Sequence, residues 1–263
     1  STTYNTGVFL SSTSNVLDAY EIELAQYGYL GSPGQNQVTM IRVEVGQPLG
    51  QIYAPVFVAT NPDGTPQFKD VNGDGVINSD SGNVLQDDYD GEIIGSAYPE
   101  LELGWTNQIT FGDWSINAFF RGAFGHHLIN TFRAFYEPNV PSQTSYNQMN
   151  TKLREPGLGV AQYNSLYVEK ADFFMLDNLT ISKRFNFGAD KAIKNAVVSF
   201  NATRPFIATS YTGTDPTPEY YDSGNSGDDD LATGADAILS PGIDRRKDYF
   251  ASRSMSIGLK LKL

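Results

Sequence analysis

Residues 100–121 read ELELGWTNQITFGDWSINAFFR, and this stretch decides the class of fold. Large apolar side chains alternate with polar or small ones from Leu101 to Ile109, and again from Trp114 to Phe120. A side-chain period of two is typical of a β-strand whose two faces meet different surroundings. Because only the pair Gly112-Asp113 separates the two runs, the stretch predicts a tight hairpin of antiparallel strands.

The same period of two recurs along most of the chain. The clearest case is the C-terminal run from Arg253 to Leu263, in which large apolar residues face one way and small residues or lysines face the other. We predict further strands at Thr3–Leu10, Tyr20–Leu24, Met40–Phe57, Phe173–Phe185 and Ala196–Thr203. Within Met40–Phe57, we interpret Gly46, Pro48 and Gly50 as a bulge in one long strand. The sequence therefore predicts an all-β chain of about eight antiparallel strands.

The connections between these strands differ greatly in length. In chain order they are 11–16 and 28–36 (short), 58–97 (long), 112–113 (short), 125–170 (long), 186–195 (short) and 204–251 (long). Loops beyond about 12–15 residues are uncommon in compact soluble domains, whereas outer-membrane barrels combine long extracellular loops with short periplasmic turns. The alternation favours a segment of a transmembrane β-barrel whose last strand ends at the periplasmic face.

The predicted strands have one apolar face and one polar face. The polar face carries Glu100, Glu102, Asn117, Arg121, Lys260 and Lys262. A soluble sheet with one buried face gives the same pattern, so polarity alone leaves both a membrane wall and a soluble sheet open. The loop lengths are what favour the membrane wall.

Composition excludes several classes of function. A net charge of −12 argues against a nucleic-acid partner, because phosphate backbones would repel the chain. The absence of cysteine excludes disulfides, thiolate metal sites and cysteine nucleophiles, and two histidines leave little for acid–base catalysis. No stretch reaches the roughly 20 apolar residues of a membrane helix. Residues 1–4 lack the basic and apolar regions of a signal peptide, so we expect a mature chain, a fragment or a cytosolic protein.

Six short motifs give the chain a specific resemblance. They are Gly46–Tyr53 (GQPLGQIY), Asp70–Asn78 (DVNGDGVIN), Ile94–Pro99 (IGSAYP), Ala171–Ile181 (ADFFMLDNLTI), Tyr211–Pro216 (YTGTDP) and Gly242–Asp244 (GID). In this order and approximate spacing, from about residue 46 to the C-terminus, the chain resembles the C-terminal portion of a SusC-like TonB-dependent transporter. Residues 1–45 match that family poorly.

The resemblance implies a barrel of about 22 strands around an N-terminal plug. Residues 1–263 would then be the C-terminal part of that barrel, with the plug and the N-terminal strands outside the chain. The implied location is the outer membrane of a Gram-negative bacterium, in contact with its lipid. The implied function is TonB-dependent import of oligosaccharides or peptides. The implied partners are the remainder of the barrel including the plug, a SusD-like surface lipoprotein and, through the absent N-terminal part, the TonB complex.

Residues 70–81 follow the pattern of a calcium-binding loop. Oxygen ligands fall at alternating positions, with a glycine at the sharp turn. The candidate ligands are Asp70, Asn72, Asp74, the carbonyl of Val76, Asn78 and Asp80. Ser81 occupies the position of the usual final carboxylate, which Asp80, Asp87, Asp88 or Asp90 could supply instead. A bound Ca²⁺ would make an extracellular loop rigid, and a metal-free loop of Asx turns is the alternative.

Other polar clusters carry weaker expectations. We expect Asp228–Asp230 to lie in a solvated loop, and the adjacent His126 and His127 to point to opposite faces, which disfavours shared metal binding. The tyrosines of the long loops could stack on sugar rings, pack within the loops or anchor at the membrane interface. These tyrosines are Tyr136, Tyr146, Tyr163, Tyr220 and Tyr221.

No nucleophile–base set can be assembled, so we expect no enzymatic activity. The rival interpretation is a self-contained calcium-binding β module for adhesion or carbohydrate binding, secreted or displayed on the cell surface.

Overall fold

The structure, a computed structural model, describes residues 2–80, 84–141, 147–188, 190–221, 238–246 and 250–263. Its strands are β1 (Thr2–Ser11), β2 (Leu24–Tyr27), β3 (Leu30–Ser32), β4 (Gln35–Val38), β5 (Ile41–Glu44), β6 (Gln51–Pro55), β7 (Phe57–Thr60), β8 (Pro66–Phe68), β9 (Gly91–Ser96), β10 (Leu101–Phe111), β11 (Trp114–Phe124), β12 (His127–Asn130), β13 (Val168–Lys170), β14 (Phe173–Asn186), β15 (Asn195–Thr209), β16 (Ile243–Asp244) and β17 (Ser254–Lys262). Helix α1 spans Thr131–Tyr136, and a 3-10 helix spans Ser165–Tyr167. Within these ranges no helix has both the length and the apolarity needed to cross a membrane.

Six long strands form one antiparallel sheet, which we call the wall. Their order is β1-β10-β11-β14-β15-β17. The predicted hairpin is confirmed: Leu101 pairs with Phe124 and Phe111 pairs with Trp114. Gly112 turns the chain with a φ of 54°, a left-handed conformation that glycine adopts without steric cost. The strands predicted at Thr3–Leu10, Phe173–Phe185, Ala196–Thr203 and the C-terminus also lie in the wall, so the fold class is confirmed.

Two of the eight predicted strands lie outside the wall. Residues 21–23 bend, and the strand predicted at Tyr20–Leu24 begins only at Leu24. The single bulged strand predicted over Met40–Phe57 is wrong, because β5 and β6 pair with each other as antiparallel neighbours. Gly46 and Gly50 have φ angles of 84° and 78°, and this left-handed backbone reverses the chain instead of bulging it. Both segments belong to a four-stranded sheet, β2-β5-β6-β9.

The predicted alternation of long and short connections is confirmed between the wall strands. Residues 112–113 and 187–194 make the short turns at one end of the wall, and 12–100, 125–172 and 210–253 make the long connections at the other. The segments 11–16 and 28–36, predicted as short connections, do not join wall strands: Ser11 ends β1, and the other residues lie inside the first long connection. Every long connection therefore leaves the wall on the same side.

The three long connections fold together into one unit, which we call the cap. Its apolar core takes Met40 and Ile52 from the first connection, Ile129 and Tyr167 from the second, and Ile243 from the third. All five side chains are at most 2% exposed. Parallel pairing of β12 with β16 joins the second connection to the third. The cap is thus a packed structure, and its loops hold one another in place.

Candidate functional site

The apolar face of the wall forms a continuous band across all six strands. Because residues directly opposite each other in a ladder share a face, the register gives one transverse row, consisting of Tyr4, Ile109, Ile116, Ile181, Phe200 and Ile257. On the outermost strand, Ile257 is 80% exposed and Leu259 is 65% exposed. An apolar surface of this extent needs a cover of lipid or protein.

Aromatic rings lie towards both ends of the apolar band. Near the short turns, the ring centroids of Phe111 and Trp114 are 6.2 Å apart, and Lys183 Nζ lies 4.8 Å from the Trp114 centroid. Towards the cap, Phe120 stacks on Trp105 at 5.0 Å and on Phe174 at 5.5 Å. Aromatic girdles on both sides of an apolar band are typical of transmembrane barrels.

The opposite face of the wall is polar and, in its middle, uncharged. One residue away from the apolar row, the register places Asn5, Gln108, Asn117, Thr180, Asn201 and Ser256 in line. The row nearer the turns is Thr3, Thr110, Ser115, Ser182, Ser199 and Gly258. The row nearer the cap is Gly7, Thr106, Phe119, Asn178, Thr203 and Ser254. These three rows contain no ionisable side chain, which distinguishes them from both ends of the wall.

Charged groups gather on the polar face where the wall meets the cap, at a site that we call the rim. Arg121 Nε lies 3.6 Å from Asp177, and Arg204 Nε lies 4.0 Å from the same carboxylate. Arg204 Nη1 donates to Asp215 at 2.5 Å. Arg204 has a φ of 50°, and β14 has a bulge at Asp177. A non-glycine residue in left-handed backbone is uncommon, and such strain is typical of a functional or strongly constrained position.

Two further contacts hold residues 215–220 in place, one to Glu102 of the wall and one to His126 of the second long connection. Tyr220 donates to Glu102 at 2.9 Å, and His126 Nε2 lies 2.8 Å from the carbonyl oxygen of Pro216. Burial raises the pKa of Asp215, but hydrogen bonds from Thr217 and Arg204 outweigh it, and the pKa lies below its ordinary value. Asp215 is therefore a charged anchor at neutral pH.

The two histidines do not form a metal site. His126 is fully buried, and burial lowers its pKa despite its contact with Pro216. Burial likewise lowers the pKa of His127. Over the described ranges, no group of three or more His, Asp or Glu side chains is placed to hold a metal ion. The histidines serve packing where the wall meets the cap.

A buried ionic network holds the second long connection together. Arg133, 4% exposed, donates from Nε to Glu137 at 2.8 Å and from Nη1 to Glu169 at 3.0 Å. It also donates to the backbone carbonyls of Leu166 and Leu153, each at 3.0 Å. Burial lowers the pKa of Arg133, but the two carboxylates outweigh this, and the group stays protonated. Both charges of each ion pair are thus compensated inside the cap.

Two of the motifs that gave the family resemblance meet in the cap. Asp244, from the GID motif, is 2% exposed and accepts hydrogen bonds from the Tyr211 hydroxyl at 2.6 Å and from Thr214 N at 2.8 Å. Gly213 lies so close that a Cβ there would be 2.2 Å from Asp244 Oδ2. Burial and the adjacent Asp244 carboxylate raise the pKa of Tyr211 well above its ordinary value. These motifs therefore bind the loops to one another.

The acidic loop at residues 70–80 is closed by its own hydrogen bonds. Asp70 accepts from the backbone N–H groups of Gly73 at 2.6 Å and Gly75 at 2.9 Å. Asn72 accepts from Asp74 N at 2.9 Å, and Asp74 accepts from Val76 N at 2.7 Å. The bonds of Asn72 and Asp74, each to the N–H two residues on, are the Asx turns of the metal-free interpretation. Among the described residues, no three carboxylates of this loop are grouped to hold a metal ion, and calcium binding stays a prediction.

Asp90 organises the far side of this loop, and sequence reasoning named it only as one of four possible extra ligands. It is fully buried and accepts from Val71 N at 2.7 Å and from Asn78 N at 2.8 Å. Burial raises the pKa of Asp90, but these backbone donors together hold it below its ordinary value. Asp80, in contrast, is exposed. No local spacing identifies Asp90, because its partners lie 12–19 residues earlier in the chain.

The remaining candidates are the acidic run at Asp228–Asp230 and further tyrosines of the long loops. Asp228–Asp230 and Tyr146 lie outside the described residues. Tyr163 is 2% exposed and donates to the Gly31 carbonyl at 3.2 Å, so it packs within the cap. Tyr221 is 55% exposed.

Comparisons with known proteins place this geometry in context. No family model matches the chain. Two TonB-dependent receptors of Formosa agariphila are similar in sequence. P3 is 23% identical over 73% of this chain and 20% of its own length, and P26 is 26% identical over 65% of this chain and 18% of its own length. The chain thus spans about a fifth of the length of the curated relatives it matches.

Solved structures of the RagAB peptide transporter are similar in fold. One matches with a TM-score of 0.58 and 18% identity, over 84% of this chain and 23% of that chain. The 'closed-closed' state of the RagAB peptide importer matches with a TM-score of 0.61 and 16% identity, over 98% of this chain and 27% of that chain. The proteins similar in sequence are TonB-dependent receptors, in agreement with the predicted outer-membrane location, and the RagAB structures agree with the predicted fold. The chain is thus similar in sequence to TonB-dependent receptors and similar in fold to a segment of the RagAB transporter structures, in agreement with the predicted resemblance.

Proposed function

We propose that this chain forms part of the wall of a TonB-dependent outer-membrane transporter that imports oligosaccharides or peptides. The observation that carries the proposal is the wall itself, which has an apolar band flanked by aromatic rings on one face and uncharged polar rows on the other. In this assignment the apolar face meets lipid, and the polar face lines the lumen. The cap lies outside the cell, above the lumen.

Further strands complete the wall. In the described sheet β1 pairs only with β10, and β17 pairs only with β15, so two edges carry free backbone N–H and C=O groups. Hydrocarbon offers these groups no partners, and membrane sheets close for this reason. The proposal therefore assigns residues 1–263 to the C-terminal part of a barrel whose remaining strands and plug come from outside this chain.

The partners follow from this assignment. Import coupled to TonB needs the plug, and the resemblance to SusC-like transporters supports a SusD-like surface lipoprotein seated over the cap. The packed core of the cap supports this, because loops that hold one another in place offer a partner a preformed surface.

Paired lysine substitutions test the membrane assignment. Ile257 and Ser256 are adjacent on β17 and belong to opposite faces. A lysine on the lipid face near the middle of the bilayer costs about 2–4 kcal/mol, whereas a lumenal one is tolerated. We expect Ile257→Lys to reduce the amount of heat-resistant folded transporter in outer-membrane fractions and Ser256→Lys to leave it unchanged. Equal effects of the two substitutions would reject the assignment of the faces.

Deletion of the gene for the complete transporter tests import. Cells with and without it are compared for depletion of oligosaccharides and peptides from the medium, followed by mass spectrometry. We expect the deletion to abolish uptake of one of these two classes. Unchanged depletion of both classes would contradict the proposal.

Calcium binding by the acidic loop stays a prediction. Isothermal titration of the complete transporter with CaCl₂ is expected to show a site that is lost when Asp70 and Asp74 are both replaced by alanine. Heat that survives the double substitution would reject the loop as the site. The self-contained calcium module is the weaker candidate, because a soluble module would not leave so large an apolar face uncovered.

A further inference from the structure

A shallow groove on the polar face of the wall surrounds the ring of Phe119. A Cβ at Gly104 would lie 3.6 Å from Phe119 Cε2, so the ring packs over this glycine. On the adjacent strand, the ring of Phe9 lies over Gly7 in the same way, at 3.7 Å, and the Phe9 side chain is 65% exposed. Glycine leaves room for a ring close to the backbone of the sheet. Two aromatic rings thus lie on a face that is otherwise polar.

Free side-chain amides surround this aromatic surface. Asn5, Gln108, Asn117 and Asn178 are exposed, and their side chains make no hydrogen bond with any other described residue. Each amide offers two donors and one acceptor. The groove that they line with Phe119 and Thr180 encloses about 400 Å³, within the range of small-molecule sites.

The charge distribution selects among ligands. The three rows that contain the groove hold no ionisable side chain, and the charged groups lie beyond them at the rim and near the turns. An anionic ligand would need arginine or lysine partners to replace its hydration, and a cationic one would need carboxylates. A neutral ligand rich in hydroxyl groups needs neither.

We propose that this groove is a transit site for neutral oligosaccharides on their way through the lumen, an inference that rests on the import function proposed above. The C–H face of a pyranose packs against the ring of Phe119. The sugar hydroxyls donate to and accept from the amides of Gln108, Asn117 and Asn178. Peptides fit less well, because their charged termini and side chains meet no opposite charge in these rows.

Two adjacent phenylalanines provide a matched test. Phe119 belongs to the polar face, and Phe120 stacks with Trp105 and Phe174 on the apolar face. Cells carrying the complete transporter as wild type, Phe119→Leu, Phe120→Leu or Asn117→Ala are given three probes at low concentration. The first probe is a mixture of neutral oligosaccharides from hydrolysed starch, xylan and mannan. The second is a mixture of acidic oligogalacturonates, and the third is a mixture of tryptic peptides. Depletion by each strain is followed by mass spectrometry and normalised to the amount of folded transporter.

We expect the wild type to deplete the neutral oligosaccharides, and Phe119→Leu to slow that depletion about fivefold, the factor for about 1 kcal/mol of lost ring contact. Asn117→Ala is expected to slow it as well, and Phe120→Leu to leave it unchanged. Depletion of only the acidic or peptide probes would overturn the inference and leave import intact. Equal rates for Phe119→Leu and Phe120→Leu would reject the groove as the site, as would be expected if a plug segment covers it throughout transport. A wild type that depletes no probe beyond the deletion strain would refute the proposed import function itself.

Discussion

Replacement of Arg133 by methionine should open the cap while leaving the wall folded. Methionine keeps much of the side-chain volume but removes the guanidinium, the positive charge that pairs with Glu137 and Glu169, whose side chains are 2% and 10% exposed. The carbonyls of Leu166 and Leu153 also lose their partner. Removing one member of a buried ion pair costs about 3–5 kcal/mol, since the other charge stays buried without compensation.

Hydrogen exchange of the complete transporter in detergent measures this cost locally. The backbone N–H groups of Glu137 and Tyr167 are hydrogen-bonded within the cap and report its opening. A loss of about 3–5 kcal/mol corresponds to exchange faster by a factor of about 100 to 4,000, at one factor of ten per 1.4 kcal/mol. Amides in the wall ladders, such as those of β10, should keep their rates, because the cap opens as a separate unit.

Lys69→Met is the matched control, because it removes the cation of an exposed ion pair with Glu92 at 2.8 Å. Exposed pairs contribute at most about 1 kcal/mol, so exchange should rise less than about tenfold. If Arg133→Met changes the rates of Glu137 and Tyr167 no more than Lys69→Met does, the buried network does not hold the cap together.

Three further predictions concern single groups. Asp90→Asn should cost about 1–3 kcal/mol of stability, because the side-chain N–H₂ of the asparagine would face a backbone N–H donor in a buried site. Backbone hydrogen exchange in residues 71–78 should accelerate, and by much more than when the exposed Asp63 is replaced by asparagine. Acidification should loosen the contact between His126 and Pro216: the folded pKa lies below the unfolded value of about 6.5, so the unfolded state binds more protons between the two values and stability falls as pH drops through that window. Proteolysis of residues 210–221 from pH 8 to pH 5 measures this, and His126→Gln should remove the pH dependence. Gly213→Ala should destabilise the cap by about 1–3 kcal/mol through its clash with Asp244 and Tyr211, whereas Gly159→Ala, whose Cβ meets only ordinary contacts, should not; thermal unfolding distinguishes the two.

Local patterns predicted the wall well and the cap poorly. The alternation from Leu101 to Phe120 identified a real hairpin, because a strand with two different faces has a period of two wherever it lies. The same rule failed at Gly46 and Gly50, where the glycines reverse the chain. A glycine-rich interruption gives the same sequence pattern whether the strand bulges or the chain reverses there. Which strand each half pairs with decides between a bulge and a turn.

The candidate sites divide in the same way. The loop at Asp70–Asn78 was found from spacing, because its hydrogen bonds join residues two to five positions apart. The arrangement around Asp90 and the ionic network of Arg133 were not found, because their partners come from distant segments of the cap.

The sequence by itself determined that most strands have one apolar and one polar face, and its motifs predicted the likeness to TonB-dependent receptors. The tertiary structure decided which residues of different strands lie side by side on each face of the wall. Asn5 lies beside Gln108 and Asn117 only because the register pairs residues that are about a hundred positions apart. Such pairing depends on the whole ladder and on loop closure, and neither leaves a local periodic signal. The uncharged groove around Phe119 is therefore a property of the fold.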